Sequence, residues 1–269
     1  MNSSPHLHST KEKLEAFQRL LQTMDELREQ CPWDKKQTME TLRPLTIEET
    51  FELADSIMGG NAEEIKKELG DVLLHIVFYA RIASEEGKYD IADVCHALVD
   101  KLVKRHPHIY GDVKVETEEQ VKSNWEQIKQ QEGQKSVLAG VPRSLPSMVK
   151  AMRLQEKAQG IGFDWPDRSG AYAKTLEEFH ELEEQVQAAN DPQALEEEFG
   201  DLMFSLINYA RFLGINPDNA LERTNRKFLD RFNYLEERAT SNGEKLQEMT
   251  LEQMDAYWDE AKEKGIGKG

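Results

Sequence analysis

Four sequence blocks occur twice in the chain, in the same order. Glu68-Leu-Gly-Asp71-Val-Leu-Leu-His-Ile-Val-Phe-Tyr-Ala-Arg81 matches Glu198-Phe-Gly-Asp201-Leu-Met-Phe-Ser-Leu-Ile-Asn-Tyr-Ala-Arg211. Upstream, Glu48-Glu49-Thr-Phe-Glu52-Leu matches Glu177-Glu178-Phe-His-Glu181-Leu. Downstream, Lys101-Leu-x-x-Arg105 matches Lys227-Phe-x-x-Arg231, and Trp125-Glu-x-x-Lys129 matches Trp258-Asp-x-x-Lys262. Whatever the unit is, the chain must fold as two copies of it, a tandem duplication.

The unit is helical. Leu14, Phe17, Leu20, Leu21 and Met24 fall on one face at helical spacing, and alternating Val/Ile/Thr runs are almost absent. The periodicity predicts five helices per half: 10–29, 38–58, 62–86, 90–105 and 117–131, then 145–159, 170–189, 192–213, 217–240 and 250–264. Gly59-Gly60-Asn61 and Asn190-Asp191-Pro192 punctuate matching points, since glycine, asparagine and proline stop helices. The expected organisation is a polar tail over 1–9, a first helical repeat over 10–133, a linker over 134–146 and a second repeat over 147–265. The fold class is all-α, a duplicated helical-bundle unit.

Charge narrows the partners. With 34 Lys and Arg against 51 Asp and Glu, the formal charge is −17. Sequence-independent nucleic-acid binding is driven by Lys and Arg displacing counterions, so nucleic acid is not an expected partner. The longest mostly apolar run, Val72 to Ala80, is far shorter than the roughly 20 residues a membrane span needs. Two cysteines in no CxxC pattern and a polar start suit a reducing cytoplasm.

Within each repeat the carboxylates come in pairs three apart: Glu49/Glu52 with Glu68/Asp71, and Glu178/Glu181 with Glu198/Asp201. Residues three apart share a helix face, so an antiparallel hairpin would aim four carboxylates at one spot. A lone pair of this kind is usually just a solvated face. Here Asp71 and Asp201 are expected in the first turn of helices apolar nearly all round, hence near the interior. Carboxylates gathered there repel one another, and a hard divalent cation such as Mg2+ relieves that repulsion. Gly70 and Gly200 cost helix stability, which implies a close approach by a packed helix or a ligand.

Lys101/Arg105 and Lys227/Arg231 stand four apart, a spacing able to grip a phosphate chain as well as to form surface salt bridges. Trp125 and Trp258 suit either packing or base stacking. No Walker loop or GxGxxG precedes a helix, and neither Glu68-x-x-Asp71 nor Glu198-x-x-Asp201 supplies a Glu-x-x-His, which argues against P-loop, Rossmann and ferritin-like di-iron sites.

The paired carboxylates, the Glu-[Leu/Phe]-Gly-Asp block, Cys31-Pro-Trp-Asp34 and Lys104-Arg-His-Pro-His108 together resemble the MazG family of all-α nucleoside triphosphate pyrophosphohydrolases. The resemblance spans roughly Thr10 to Lys264. It implies a Mg2+-dependent hydrolase that converts nucleoside triphosphates to monophosphate and pyrophosphate with broad base tolerance, acting as a homodimer. The second repeat is implied as the main site. Glu178, Glu181, Glu198 and Asp201 would hold metal, Lys174, Lys227 and Arg231 would bind phosphates, and Trp258 would contact the nucleotide. The first-repeat quartet Glu49, Glu52, Glu68 and Asp71 is intact and metal-capable. Val99 replaces the polar Asn225 there, so lower activity is expected. A narrower dUTP or dCTP pyrophosphatase and a non-catalytic nucleotide-binding dimer are the alternatives.

Overall fold

The computed structural model describes residues 8–117, 120–121, 124–125, 128, 136–188 and 191–267. Two compact units emerge, 1–114 and 115–269, and the described residues contain no strand.

The first unit runs α1 (Thr10–Gln30), α2 (Met39–Gly59), α3 (Ala62–Glu85), α4 (Ile91–Arg105) and a short α5 (Pro107–Tyr110). Side-chain caps set most of the helix starts. Ser9 and Glu12 form a reciprocal box on α1, Thr38 caps α2, Asn61 caps α3, and Asp90 with Asp93 boxes α4. Each cap satisfies amide groups that the helix leaves open and contributes about 0.5–2 kcal/mol. Gly60 ends α2 in the left-handed region at φ 71°, which only glycine adopts without strain. Asn61 follows at once, so α2 and α3 fold back as an antiparallel pair. α1 closes the unit over a core of Met24, Leu42, Val77, Phe78 and Ile82.

The second unit contains α6 (Ser147–Gly160), α7 (Arg168–Ala188), α8 (Pro192–Phe212), α9 (Pro217–Ser241) and α10 (Leu251–Glu263). Asp191 and Asn216 cap α8 and α9 with proline at the first helical position, where its missing N–H costs nothing. α7 and α8 pair as α2 and α3 do, α6 lies along α8, and α9 packs on α10. The buried positions are smaller here: Ala151, Ala171, Ala239 and Ala261 accompany Leu202, Ile207 and Leu235.

Nine of the expected helices appear within about two residues of their expected limits. The tenth, expected over 117–131 with Lys129 inside it, lies largely outside the described residues. The division between units falls at 114/115, ahead of the expected linker at 134–146, and puts Trp125 with the second unit.

Three expectations are corrected. Asp71 and Asp201 do not open their helices; each is the tenth residue, in the third turn of α3 or α8. Nor are those helices buried on all sides. Leu69, Leu73 and Ile76 on α3, and Phe199, Met203 and Leu206 on α8, are exposed. They form matching i, i+4, i+7 stripes, because the other helices of one unit are too few to cover every face of α3 or α8. Finally, a β-carbon added at Gly70 or Gly200 would meet nothing within 4 Å, so of the two expected reasons for these glycines no described helix supplies the close approach.

Candidate active site

Antiparallel pairing of α2 with α3 brings Glu49 opposite Glu68 and Asp71. The same pairing of α7 with α8 brings Glu178 opposite Glu198 and Asp201. In each triad one carboxylate oxygen per residue lies within 4.8 Å of the others. Glu68 and Glu178 are buried, at 6% and 7% exposure, so each triad has a desolvated floor. The sequence pattern therefore puts three of each four carboxylates together. The fourth, Glu52 or Glu181, stands outside the triad.

Electrostatics register the crowding. Burial, followed by repulsion from Asp71, Glu52 and Glu68, raises the Glu49 carboxyl above its ordinary range. Glu181 is also raised, chiefly by desolvation and further by Glu178 and Glu177, with Lys174 pulling the other way. Each triad has an ammonium beside it. Lys174 Nζ lies 2.8 Å from Glu178 and 2.6 Å from Glu177, and these contacts push its own pKa up. In the first unit Lys67 Nζ takes this role, 2.9 Å from Glu68 and 3.9 Å from Asp71. Lys67 was not among the expected residues; its signal was a Lys next to Glu68 where the second repeat has Glu197.

An all-oxygen donor set suits a hard cation such as Mg2+. A further observation agrees with it. Glu68 Oε2 is buried and has no hydrogen-bond partner, a costly state for a carboxylate oxygen and one that a cation relieves.

The remaining second-repeat residues form a separate group. Lys227 and Arg231 on α9 and Trp258 on α10 gather where the chain end folds back. Arg231 Cζ lies 5.9 Å from the Trp258 ring centre, Phe228 packs 5.1 Å from the same ring, and Arg231 Nε donates to the Ile266 carbonyl at 3.2 Å. Gly267 sits so close to Lys227 that a β-carbon would be 3.0 Å from its Cα. Among the described residues this group shares no hydrogen bond, ion pair or ring contact with the triad of Glu178, Glu198 and Asp201. In the first unit Lys101 is exposed and Arg105 half-buried at the matching positions of α4.

Sequence reading also missed a buried polar network beside the first triad. Thr46 Oγ1 lies 2.8 Å from His75 Nδ1 and 2.6 Å from the Tyr79 hydroxyl, and burial holds the His75 imidazole below its ordinary pKa. Thr46 also bonds back to Leu42 O, as its counterpart Thr175 does to Ala171 O, while Ser205 at the His75 position bonds to Leu202 O of its own helix.

A family model described as "MazG nucleotide pyrophosphohydrolase domain" matches residues 37–110 and again 169–235, one copy for each carboxylate hairpin. The chain belongs to the MazG family. Among curated MazG-like relatives, the Thermotoga maritima nucleoside triphosphate pyrophosphohydrolase/pyrophosphatase MazG is 45% identical over 251 residues, covering 91% of this chain and 95% of that one. The Escherichia coli K12 nucleoside triphosphate pyrophosphohydrolase is 41% identical over 256 residues, covering 92% and 97%. The uncharacterized YabN of Bacillus subtilis is 43% identical, but only 48% of its length is matched. The duplicated all-α architecture expected from the sequence thus agrees with the structure and with the twofold match of the family model.

Proposed function

We propose that this MazG protein is a Mg2+-dependent nucleoside triphosphate pyrophosphohydrolase with its main site on α7 and α8. The observation that carries the reading is the triad of Glu178, Glu198 and Asp201, desolvated at Glu178 and flanked by Lys174. The names of the 41–45% identical relatives point to the same reaction. Glu178, Glu198 and Asp201, with Glu181 beside them, would hold the metal; Glu49, Glu52, Glu68 and Asp71 are a second set with weaker turnover. Magnesium bound there supplies charge neutralisation on the phosphates and an acidified water.

The chain's own residues supply the rest. Glu181 stands outside the triad, and its raised carboxyl suits it to accept the proton of water attacking the α-phosphorus. As the new P–O bond forms, the bond to the α–β bridging oxygen breaks and pyrophosphate departs. Lys227 and Arg231 offset charge on the departing group, Lys174 orients the phosphates, and Trp258 flanks the nucleotide. Base tolerance is broad.

The matched apolar stripes Leu69/Leu73/Ile76 and Phe199/Met203/Leu206 favour a homodimer, since exposed apolar patches of this kind mark protein interfaces. No described helix is long and apolar enough to cross a membrane. A cytoplasmic enzyme that takes free nucleotides, and not nucleic acid, fits the −17 charge.

The test is incubation with each ribo- and deoxyribonucleoside triphosphate in Mg2+, with products separated. Monophosphate plus pyrophosphate from several bases supports the reading. Diphosphate plus phosphate, or tight binding without turnover, overturns it; turnover of dUTP or dCTP alone replaces it with the narrower enzyme.

A further inference from the structure

The segment after α10 returns to α9 through a glycine-dependent turn. Gly265 lies in the left-handed region at φ 74°. Its N–H donates to the Lys262 carbonyl at 3.0 Å, and the Ile266 N–H donates to the Ala261 carbonyl at 3.0 Å. This pair of bonds is the Schellman helix stop, which glycine makes without strain. Lys264 ties the turn to α9, its Nζ 2.6 Å from the Tyr234 hydroxyl, and it also bonds Glu260 of α10 at 2.8 Å. Gly267 then lies against α9, where a β-carbon would stand 3.0 Å from both the Cα and the carbonyl oxygen of Lys227. Glycine lets the two backbones approach this closely without displacing either.

The turn brings one polar group to the phosphate-binding pair. The Ile266 carbonyl accepts from Arg231 Nε at 3.2 Å, and the Trp258 ring centre lies 5.9 Å from Cζ of the same guanidinium. One edge and one face of the fork are thereby held. Among the described residues no hydrogen bond or ion pair engages Arg231 Nη1 or Nη2, the two donors of its far end. An arginine that is mobile before it binds loses rotamer freedom when it grips a phosphate. One already fixed by a carbonyl and an indole loses less, and its fork keeps its aim.

The first repeat has the arginine, as Arg105, but not the glycines. Counting from Trp125 and Trp258, Glu132 and Gln134 occupy the positions of Gly265 and Gly267.

We propose that the Gly265–Gly267 turn is a positioning element for Arg231. Its Ile266 carbonyl holds the Nε edge, so that Nη1 and Nη2 meet the departing pyrophosphate together. The inference rests on the pyrophosphohydrolase reading and adds to it residues that touch neither metal nor nucleotide. It also gives the second repeat an advantage that the residues after Trp125 do not encode.

The test is a double-mutant cycle on the full chain, reading kcat/KM for pyrophosphate release from ATP in Mg2+. Gly265→Val strains the left-handed turn and withdraws the carbonyl without adding bulk against Lys227. It is measured beside Arg231 and again beside Arg231→Lys, which keeps a cation but has no fork to aim. Expected is a loss of about tenfold beside Arg231 and of less than about twofold beside Arg231→Lys. Equal losses in the two backgrounds mean that the turn is merely structural and overturn the proposal, as does full activity of Gly265→Val beside Arg231. Should Gly265→Val not fold, Gly267→Ala takes its place in the same cycle, with a loss of about threefold expected beside Arg231 and none beside Arg231→Lys. Either overturning result, with wild type still releasing pyrophosphate, leaves the hydrolase standing. A wild type that releases pyrophosphate from no triphosphate overturns both.

Discussion

In the first unit the ammonium beside the triad comes from α3, as Lys67; in the second it comes from α7, as Lys174. The position matching Lys174 is Leu45, and the one matching Lys67 is Glu197. The same hairpin thus keeps its acidic cluster while the neutralising charge changes helix. Lys67 bridges both carboxylates of α3 and is itself largely exposed, whereas Lys174 is half-buried and, among the described residues, pairs with Glu177 and Glu178 and not with Glu198 or Asp201. Beyond the triad the units diverge further. The first fills the space along α3 with Phe78, Met24 and Val77, while the second keeps a cavity along α8. A duplicated fold lets one copy invest its interior in packing and the other leave its interior open.

The sharpest way to break this comparison is to remove the matching glutamate of α3 or α8 from each triad. Glu198→Gln is expected to lower pyrophosphate release by about a hundredfold or more, since it removes a metal ligand from the open site. Glu68→Gln, its counterpart, is expected to retain most of the activity. Equal losses in initial-rate assays would remove the distinction between the repeats.

The lysines give a smaller contrast. Lys174→Met takes away an ammonium that faces both the triad and incoming phosphates, and about a tenfold rise in KM is expected. Lys67→Met should leave KM for triphosphates within about twofold while tightening Mg2+ at the first triad, because the ammonium competes with the cation for Glu68 and Asp71. Metal titration by calorimetry on the two variants separates these outcomes; weaker binding in Lys67→Met would show that the lysine supports the first site.

Much of this was legible in the residues. Helix limits emerged from 3.6-residue periodicity and from caps such as Asn61, Asp191 and Pro192, all local signals. The triads were legible because i, i+3 spacing and a short turn leave a hairpin little freedom. What escaped was anything depending on a third helix. The depth of Asp71 and Asp201 was misjudged because apolar residues all round a helix looked like burial, although one stripe faces outward. The orientation of Gln155 depends on α6 lying along α8, a contact between residues 49 apart in sequence with no periodic trace. Likewise Arg81 and Arg211 were visible as a repeated residue, but their carboxylate partners, Asp25 and Asp164, fall outside every repeated block.

The mildest contrast concerns protons. Glu49 is held above the ordinary carboxylate value of 4.5 by burial and by Asp71, Glu52 and Glu68. The folded chain therefore binds that proton more tightly than the unfolded one. Stability from this group is present at low pH and declines as pH rises from about 4.5 through the raised value. Glu49→Gln removes the repulsion, so without metal the variant should melt above wild type at pH 7, by about 2 °C, and the gap should close near pH 4. Mg2+ relieves the same repulsion in wild type, so the variant should gain less from added Mg2+ than wild type does. Glu181→Gln repeats the measurement in the second unit, where Lys174 already offsets part of the repulsion, and a smaller metal-free gap is expected there. A Glu49→Gln gap that stays flat across pH, or a full Mg2+ gain in that variant, would mean that the first triad is not a cation site and that only the second unit retains one.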